Sequence, residues 1–153
     1  MEKKEFHDAG NGEYLISTDP SLLNVDTIYN YLSGESYWAK NIPRQVVEKS
    51  IANSLCFGLY HNNKQVGFAR LVTDKATFAY LADVFILPGY RGNGLSKWLM
   101  QVIHAHPELQ GLRRWVLGTR DAHGLYEQFG FIVYPNPDRI MTMNNAEVYK
   151  RAQ

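Results

Sequence analysis

Arg91-Gly92-Asn93-Gly94-Leu95-Ser96 separates two regular patterns. Before it, Thr77 to Leu87 is long and mostly apolar, as a strand reads, and Pro88-Gly89-Tyr90 ends that run. After it, Leu95, Trp98, Leu99, Val102 and Ile103 recur at the spacing of one apolar helix face, up to a limit at Pro107. Trp115 to Thr119 reads as a further strand. Strand, turn, helix and strand fit within roughly 40 residues, the size of a βαβ unit, so parallel strands and a right-handed crossover are expected.

Leu55 to Tyr60, Gln65 to Val72 and Thr77 to Leu87 read as three strands joined by short turns, an antiparallel meander. Upstream, residues 8–13 read as a loop and Tyr14 to Ser17 as a short strand. Asn24 caps a helix carrying Val25, Ile28, Tyr29 and Leu32, with Gly34 past its end. Pro43 opens a second helix with Val46, Val47 and Ile51. Downstream, Ala122 to Phe129 reads as a short helix stopped by Gly130. Phe131 to Tyr134 and Arg139 to Met143 read as a closing strand pair around Pro135-Asn136-Pro137. The expected fold class is α/β, a mixed sheet flanked by about four helices, in a single domain over residues 1–153.

Composition narrows the function classes. Sixteen basic residues against fifteen acidic leave a formal net charge of +1, which gives no bulk attraction to nucleic acid or an anionic membrane. The lone Cys56 excludes an intramolecular disulfide framework and a multi-cysteine zinc site, and His104 and His106 have no metal-ligand spacing. No run approaches a membrane span, and Met1–Phe6 has no apolar signal-peptide core, so a cytoplasmic protein is expected.

The glycine turn itself carries chemistry. A helix N-terminus offers unpaired N–H groups and the positive end of a dipole, and glycines let an anion approach the backbone. Arg91, Ser96 and Lys97 add donors or charge. A dinucleotide fingerprint fails because Lys97 stands where its third glycine belongs. A P-loop fails because Leu95 stands where its lysine must reach the phosphates.

The pattern that fits is [Q/R]-x-x-G-x-[G/A], with Ser96 at the last small position. Arg91 to Ser96 resembles motif A of the GNAT superfamily of acetyl-CoA-dependent N-acetyltransferases, a motif spanning about residues 84–104 here. Val84-Phe85-Ile86-Leu87-Pro88-Gly89-Tyr90 resembles that family's strand and its approach to the turn. Ala122-His123-Gly124-Leu125-Tyr126-Glu127-Gln128-Phe129-Gly130-Phe131 resembles motif B, which spans about 119–131.

The resemblance implies a reaction and its parts. The pyrophosphate of acetyl-CoA would rest on Arg91, Gly92, Asn93, Gly94, Leu95 and Ser96, with Lys97 nearby. The pantetheine arm would pair with backbone at Phe85 and Ile86, and an N–H near Val84 to Ile86 would polarise the acetyl carbonyl. A primary amine, probed first as a small molecule, would attack the thioester directly in a ternary complex. Cys56 lies outside both motifs, as an ordinary strand cysteine. Tyr126 matches the tyrosine that protonates the departing thiolate; its other reading is packing beside Leu125 and Phe129. Thr119 stands where the family often has asparagine, to contact pantetheine or to cap the helix. A homodimer is a further expectation, and a non-catalytic acyl-CoA-binding module on the same fold is the alternative function.

Two features lie beyond the motifs. Asp83 is polar inside the apolar run Tyr80 to Ile86, and burying a carboxylate is costly unless it is paired or used. It is a candidate to orient or deprotonate the amine, or else a carboxylate satisfied by one basic side chain or a bulge amide. Tyr29, Tyr31, Tyr37 and Trp38 either wall the acceptor site or pack helices on the sheet. His123 can share a helix face with Tyr126.

Overall fold

The computed structural model describes residues 6–150. Six strands form one sheet in chain order: β1 Asp8–Asn11, β2 Tyr14–Ser17, β3 Leu55–His61, β4 Lys64–Thr73, β5 Phe78–Ile86 and β6 Arg114–Leu117. Each neighbouring pair is antiparallel except β5 and β6, which are parallel. The crossover between those two carries α3, Leu95–His104. The other helices are α1 Val25–Asn30, α2 Arg44–Ala52 and α4 His123–Glu127.

Apolar layers form on both faces of the sheet. Leu95, Leu99, Met100, Val102 and Ile103 of α3 bury against Phe57, Leu59, Val66, Leu71 and Leu81 on one face. On the other, Ile28, Leu32, Ala39, Ile42 and Val47 of the α1–α2 region cover Cys56, Phe68 and Phe85. The Asn24 side chain accepts the Thr27 N–H at 3.0 Å, and its own N–H donates to Gln65 of β4 at 2.7 Å. The cap therefore also anchors α1 to the sheet.

The meander forms as its sequence predicts. Asn62 and Asn63 take positive φ values of 48° and 70°, the left-handed pair a tight hairpin needs. Residues 8–11, expected to be loop, instead form β1: Gly12 at φ 60° lets the chain reverse, and Asp8 to Asn11 pair back on Ser17 to Tyr14. The first helix does not end before Gly34, because Tyr31–Glu35 continues it as a π turn that includes this glycine.

The expected closing strands at 131–134 and 139–143 do not form. Pro135 and Pro137 remove two N–H donors, and the chain makes a 3-10 turn at Pro137–Arg139. Ile132, Val133, Met141 and Met143 are exposed rather than seated on the sheet. Among the described residues no strand pairs with the outer edge of β6.

Candidate active site

β5 and β6 part company midway. Their pairing runs from Phe78↔Arg114 to Leu81↔Leu117 and stops there. β5 continues to Ile86, while the chain after β6 turns through Gly118 to Ala122 into α4. Val84, Phe85 and Ile86 therefore lie past the parting point, with Phe85 and Ile86 paired to Phe68 and Gly67 of β4. An opened parallel pair of this kind leaves strand backbone on the inner side free to bond an extended ligand.

The glycine turn lies just beyond β5. Gly92 and Gly94 have φ of 83° and 73°, where an L side chain is strained, and nothing stands within 4 Å of the position their Cβ atoms would take. Gly94 is the N-cap of α3 with no side-chain cap hydrogen bond, so the first-turn amides at Leu95, Ser96 and Lys97 have no partner within the helix. Such a cradle fits the pyrophosphate end of acetyl-CoA. Asn93 donates to the Tyr90 carbonyl at 3.2 Å and stabilises the turn. The Arg91 guanidinium is partly committed: Nε donates to the Ile86 carbonyl at 2.9 Å and a terminal nitrogen to the Tyr31 hydroxyl at 2.8 Å. It clamps the end of β5 to the π turn, a bond between residues sixty apart that motif reading does not reveal.

Asp83 sits at a bulge. The β4–β5 register shifts between Phe68 and Arg70, and Asp83 takes φ 55°. One carboxylate oxygen accepts from Arg70 Nε at 2.8 Å and the other from Trp38 Nε1 at 2.8 Å. Arg70 also donates to Ser54 at 3.1 Å. The ion pair is largely shielded, with side-chain exposures of 18% for Arg70 and 10% for Asp83. Arg70 is the basic partner that satisfies Asp83. Its signal was available: a charge inside the apolar run Gln65 to Val72, opposite a second such run.

Tyr126 is buried on α4 and packs against Phe131 with ring centroids 5.9 Å apart. Burial pushes its phenol up from the ordinary tyrosine value, with a further push from the Tyr37 hydroxyl. It lines a cleft of about 710 Å³ between β6, α4 and the segment after Gly130, together with Leu117, Thr119, His123 and Phe131; no residue of β5 or of the glycine turn lines that cleft. The Thr119 hydroxyl accepts the N–H of Ala122, the residue before α4, at 3.0 Å and ties the loop to the helix start without capping a first-turn amide. His123 is exposed at the rim, and Lys97 is exposed on the first turn of α3. Cys56 is buried beneath the α2 layer, its thiol pushed up to about 12 by burial, which leaves it protonated and unreactive.

The aromatic stretch divides. Tyr31 stacks on Phe85 at 4.1 Å and packs the helix on the sheet, and Tyr29 lies against Arg44. Tyr37 and Trp38 stand half-exposed at the split.

These parts match known proteins. The family model described as an acetyltransferase (GNAT) domain matches residues 52–133, which contain the parted strands, the glycine turn and Tyr126. The chain belongs to the GNAT acetyltransferase family. A GNAT-family structure from Xanthomonas campestris pv. campestris, described as a candidate acetyltransferase, is 48% identical with a TM-score of 0.89; the match covers 93% of this chain and all of that one. A curated relative from Gibberella zeae, also described as a candidate acetyltransferase, is 38% identical over 137 residues, covering 75% of this chain and 76% of its own. A Clostridium acetobutylicum structure, described as a candidate acetyltransferase with acetyl-CoA, shares the fold at a TM-score of 0.59 and 15% identity, over 92% of this chain and 95% of that one. Among the described residues no helix is long and apolar enough to cross a membrane, and no cluster of three metal-ligating side chains occurs.

Proposed function

We propose that this protein is an N-acetyltransferase that moves the acetyl group of acetyl-CoA to a primary amine, within one domain. The observation that carries the reading is the junction of an open glycine turn with strands that part after Leu81 and Leu117. Backbone amides from Arg91 to Lys97 receive the pyrophosphate, with charge-assisted hydrogen bonds and the α3 dipole supplying the attraction. Backbone between Val84 and Ile86 holds the extended thioester arm and stabilises negative charge on the carbonyl oxygen.

Tyr126 is the proton donor to the departing thiolate. Its raised pKa keeps the phenol protonated through neutral and mildly alkaline pH, so it can donate as charge develops on sulfur. Asp83 enters as a positioning carboxylate rather than the base, because both oxygens already accept hydrogen bonds and Arg70 matches its charge. Thr119 acts by fixing the start of the helix that carries Tyr126. The open edge of β6 and the exposed apolar residues after Gly130 favour a homodimer, which light scattering reads directly as a doubling of the 17.5 kDa chain mass.

Thermal unfolding with acetyl-CoA, CoA, ATP and NAD tests the ligand. A ligand at 100 times its Kd adds about 2.7 kcal/mol, a shift of roughly 5–10 °C for this size. Shifts with the two CoA species alone support the reading, and a thiol-release screen over small amines then tests turnover. Tight acyl-CoA binding with no thiol release from any amine would favour the non-catalytic alternative.

A further inference from the structure

Tyr37 and Trp38 are consecutive, yet they are tied to opposite sides of the strand split. Trp38 Nε1 donates to Asp83 on β5 at 2.8 Å. The Tyr37 hydroxyl accepts the backbone N–H of Arg120, beyond the end of β6, at 3.1 Å. The two rings meet edge to face, 5.0 Å apart at 85°. Together they make one aromatic span joining both walls of the opening.

Neighbouring residues hold the span on its protein side. Ser36 and Ala39, which flank it in the chain, are buried. Ser36 Oγ donates to the Leu32 carbonyl at 2.6 Å and accepts the Ala39 N–H at 3.0 Å. Trp38 lies 6.4 Å from Tyr31, whose ring in turn stacks on Phe85. The Arg120 guanidinium covers the Tyr37 ring at 3.9 Å. Swinging either ring aside costs a hydrogen bond and a ring contact, so a ligand meets these side chains as a wall.

Resting on the acyl-CoA reading above, we propose that Tyr37 and Trp38 limit the acyl chain, admitting acetyl and excluding longer groups. The span meets β5 at Asp83, three residues before the strand's end at Ile86 and the glycine turn beyond it. At about 3.3 Å per residue, a thioester arm anchored beyond Ile86 and running along β5 reaches the span after about 10 Å. In this arrangement the acyl group ends at the rings. A six-carbon chain must displace them, and overfilling a packed site is unfavourable.

Calorimetric Kd values for acetyl-CoA and hexanoyl-CoA test this without knowledge of the amine. The wild type should bind acetyl-CoA about tenfold or more tighter than hexanoyl-CoA. Tyr37→Ala and Trp38→Ala should each tighten hexanoyl-CoA and bring the two constants within about threefold, with acetyl-CoA little changed. Tyr37→Phe keeps the ring but removes its bond to Arg120, so it should shift the ratio less than Tyr37→Ala. Two separate truncations at half-exposed positions keep the test decisive if one fails to fold. Equal affinities in the wild type, or an unchanged ratio in both alanine variants, would overturn the proposal alone. Failure of CoA, acetyl-CoA and hexanoyl-CoA all to bind would overturn the acyl-CoA reading, and the acyl limit with it.

Discussion

The two walls of the split are built by different means. The β5 wall is backbone: a strand hydrogen-bonded to β4, a glycine turn and the first turn of α3, all within residues 78–104. The opposite wall is a four-residue strand, a five-residue helix and a loop, and its useful groups are side chains. Across the top, Tyr37 and Trp38 arrive from a segment 45 residues away from Asp83. Backbone sites depend on local conformation. Side-chain sites depend on what the fold brings together.

That contrast orders the expected effects. The largest is on the side-chain wall: Tyr126→Phe should lower kcat by about 100-fold, since a positioned proton donor contributes on the order of 10²–10⁴. CoA affinity should stay within about twofold of wild type, because the phenol acts after binding. The wild-type rate should hold through mildly alkaline pH and fall only above about 10, the ordinary tyrosine value, because burial moves Tyr126 upward. A Tyr126→Phe enzyme with full turnover and the same alkaline limb removes the tyrosine from the chemistry.

Next is the backbone wall. Gly94→Val forces a branched side chain to φ 73°, a strain of about 1–2 kcal/mol, and fills the space before the α3 amides. CoA binding measured by calorimetry should weaken by about tenfold or more. Retained affinity would mean that the anion sits elsewhere. A smaller effect falls between the walls. Asp83→Asn leaves Arg70 with a neutral partner and should cost about 2 kcal/mol in urea unfolding, with Arg70→Met on top of it recovering part of that loss.

The smallest effect lies away from the split. His106 is buried with its Nδ1 accepting the Glu108 N–H at 3.1 Å, and burial lowers its pKa below the ordinary value of 6.5. The unfolded chain then binds the proton more readily, so this contribution is fully present above about pH 6.5 and is lost as pH falls toward the folded value. Urea midpoints should drop between pH 7 and 5, and His106→Gln should flatten that slope.

The same contrast explains what the sequence made legible. Strand, glycine turn and α3 are local signals, and each formed where periodicity and turn chemistry put it. The meander did too, because Asn62-Asn63 encodes its own hairpin. Residues 8–11 read as loop because Gly10 and Gly12 favour turns, and β1 forms by pairing with β2. Residues 131–143 failed in the opposite sense: apolar alternation reads as strand, but two prolines break the donors and no described strand lies alongside. At the site, Asp83 and Arg70 each stand out as a charge in an apolar run, whereas their pairing and the Tyr37–Arg120 contact require the tertiary fold.

The most direct test of the central idea is an amide NMR titration with CoA. A cradle on the glycine turn continuing along the parted β5 predicts the largest shifts at Gly92, Gly94, Ser96, Phe85 and Ile86, with β1 and β2 unmoved. Saturating CoA that leaves those amides in place, or moves another region instead, would contradict it.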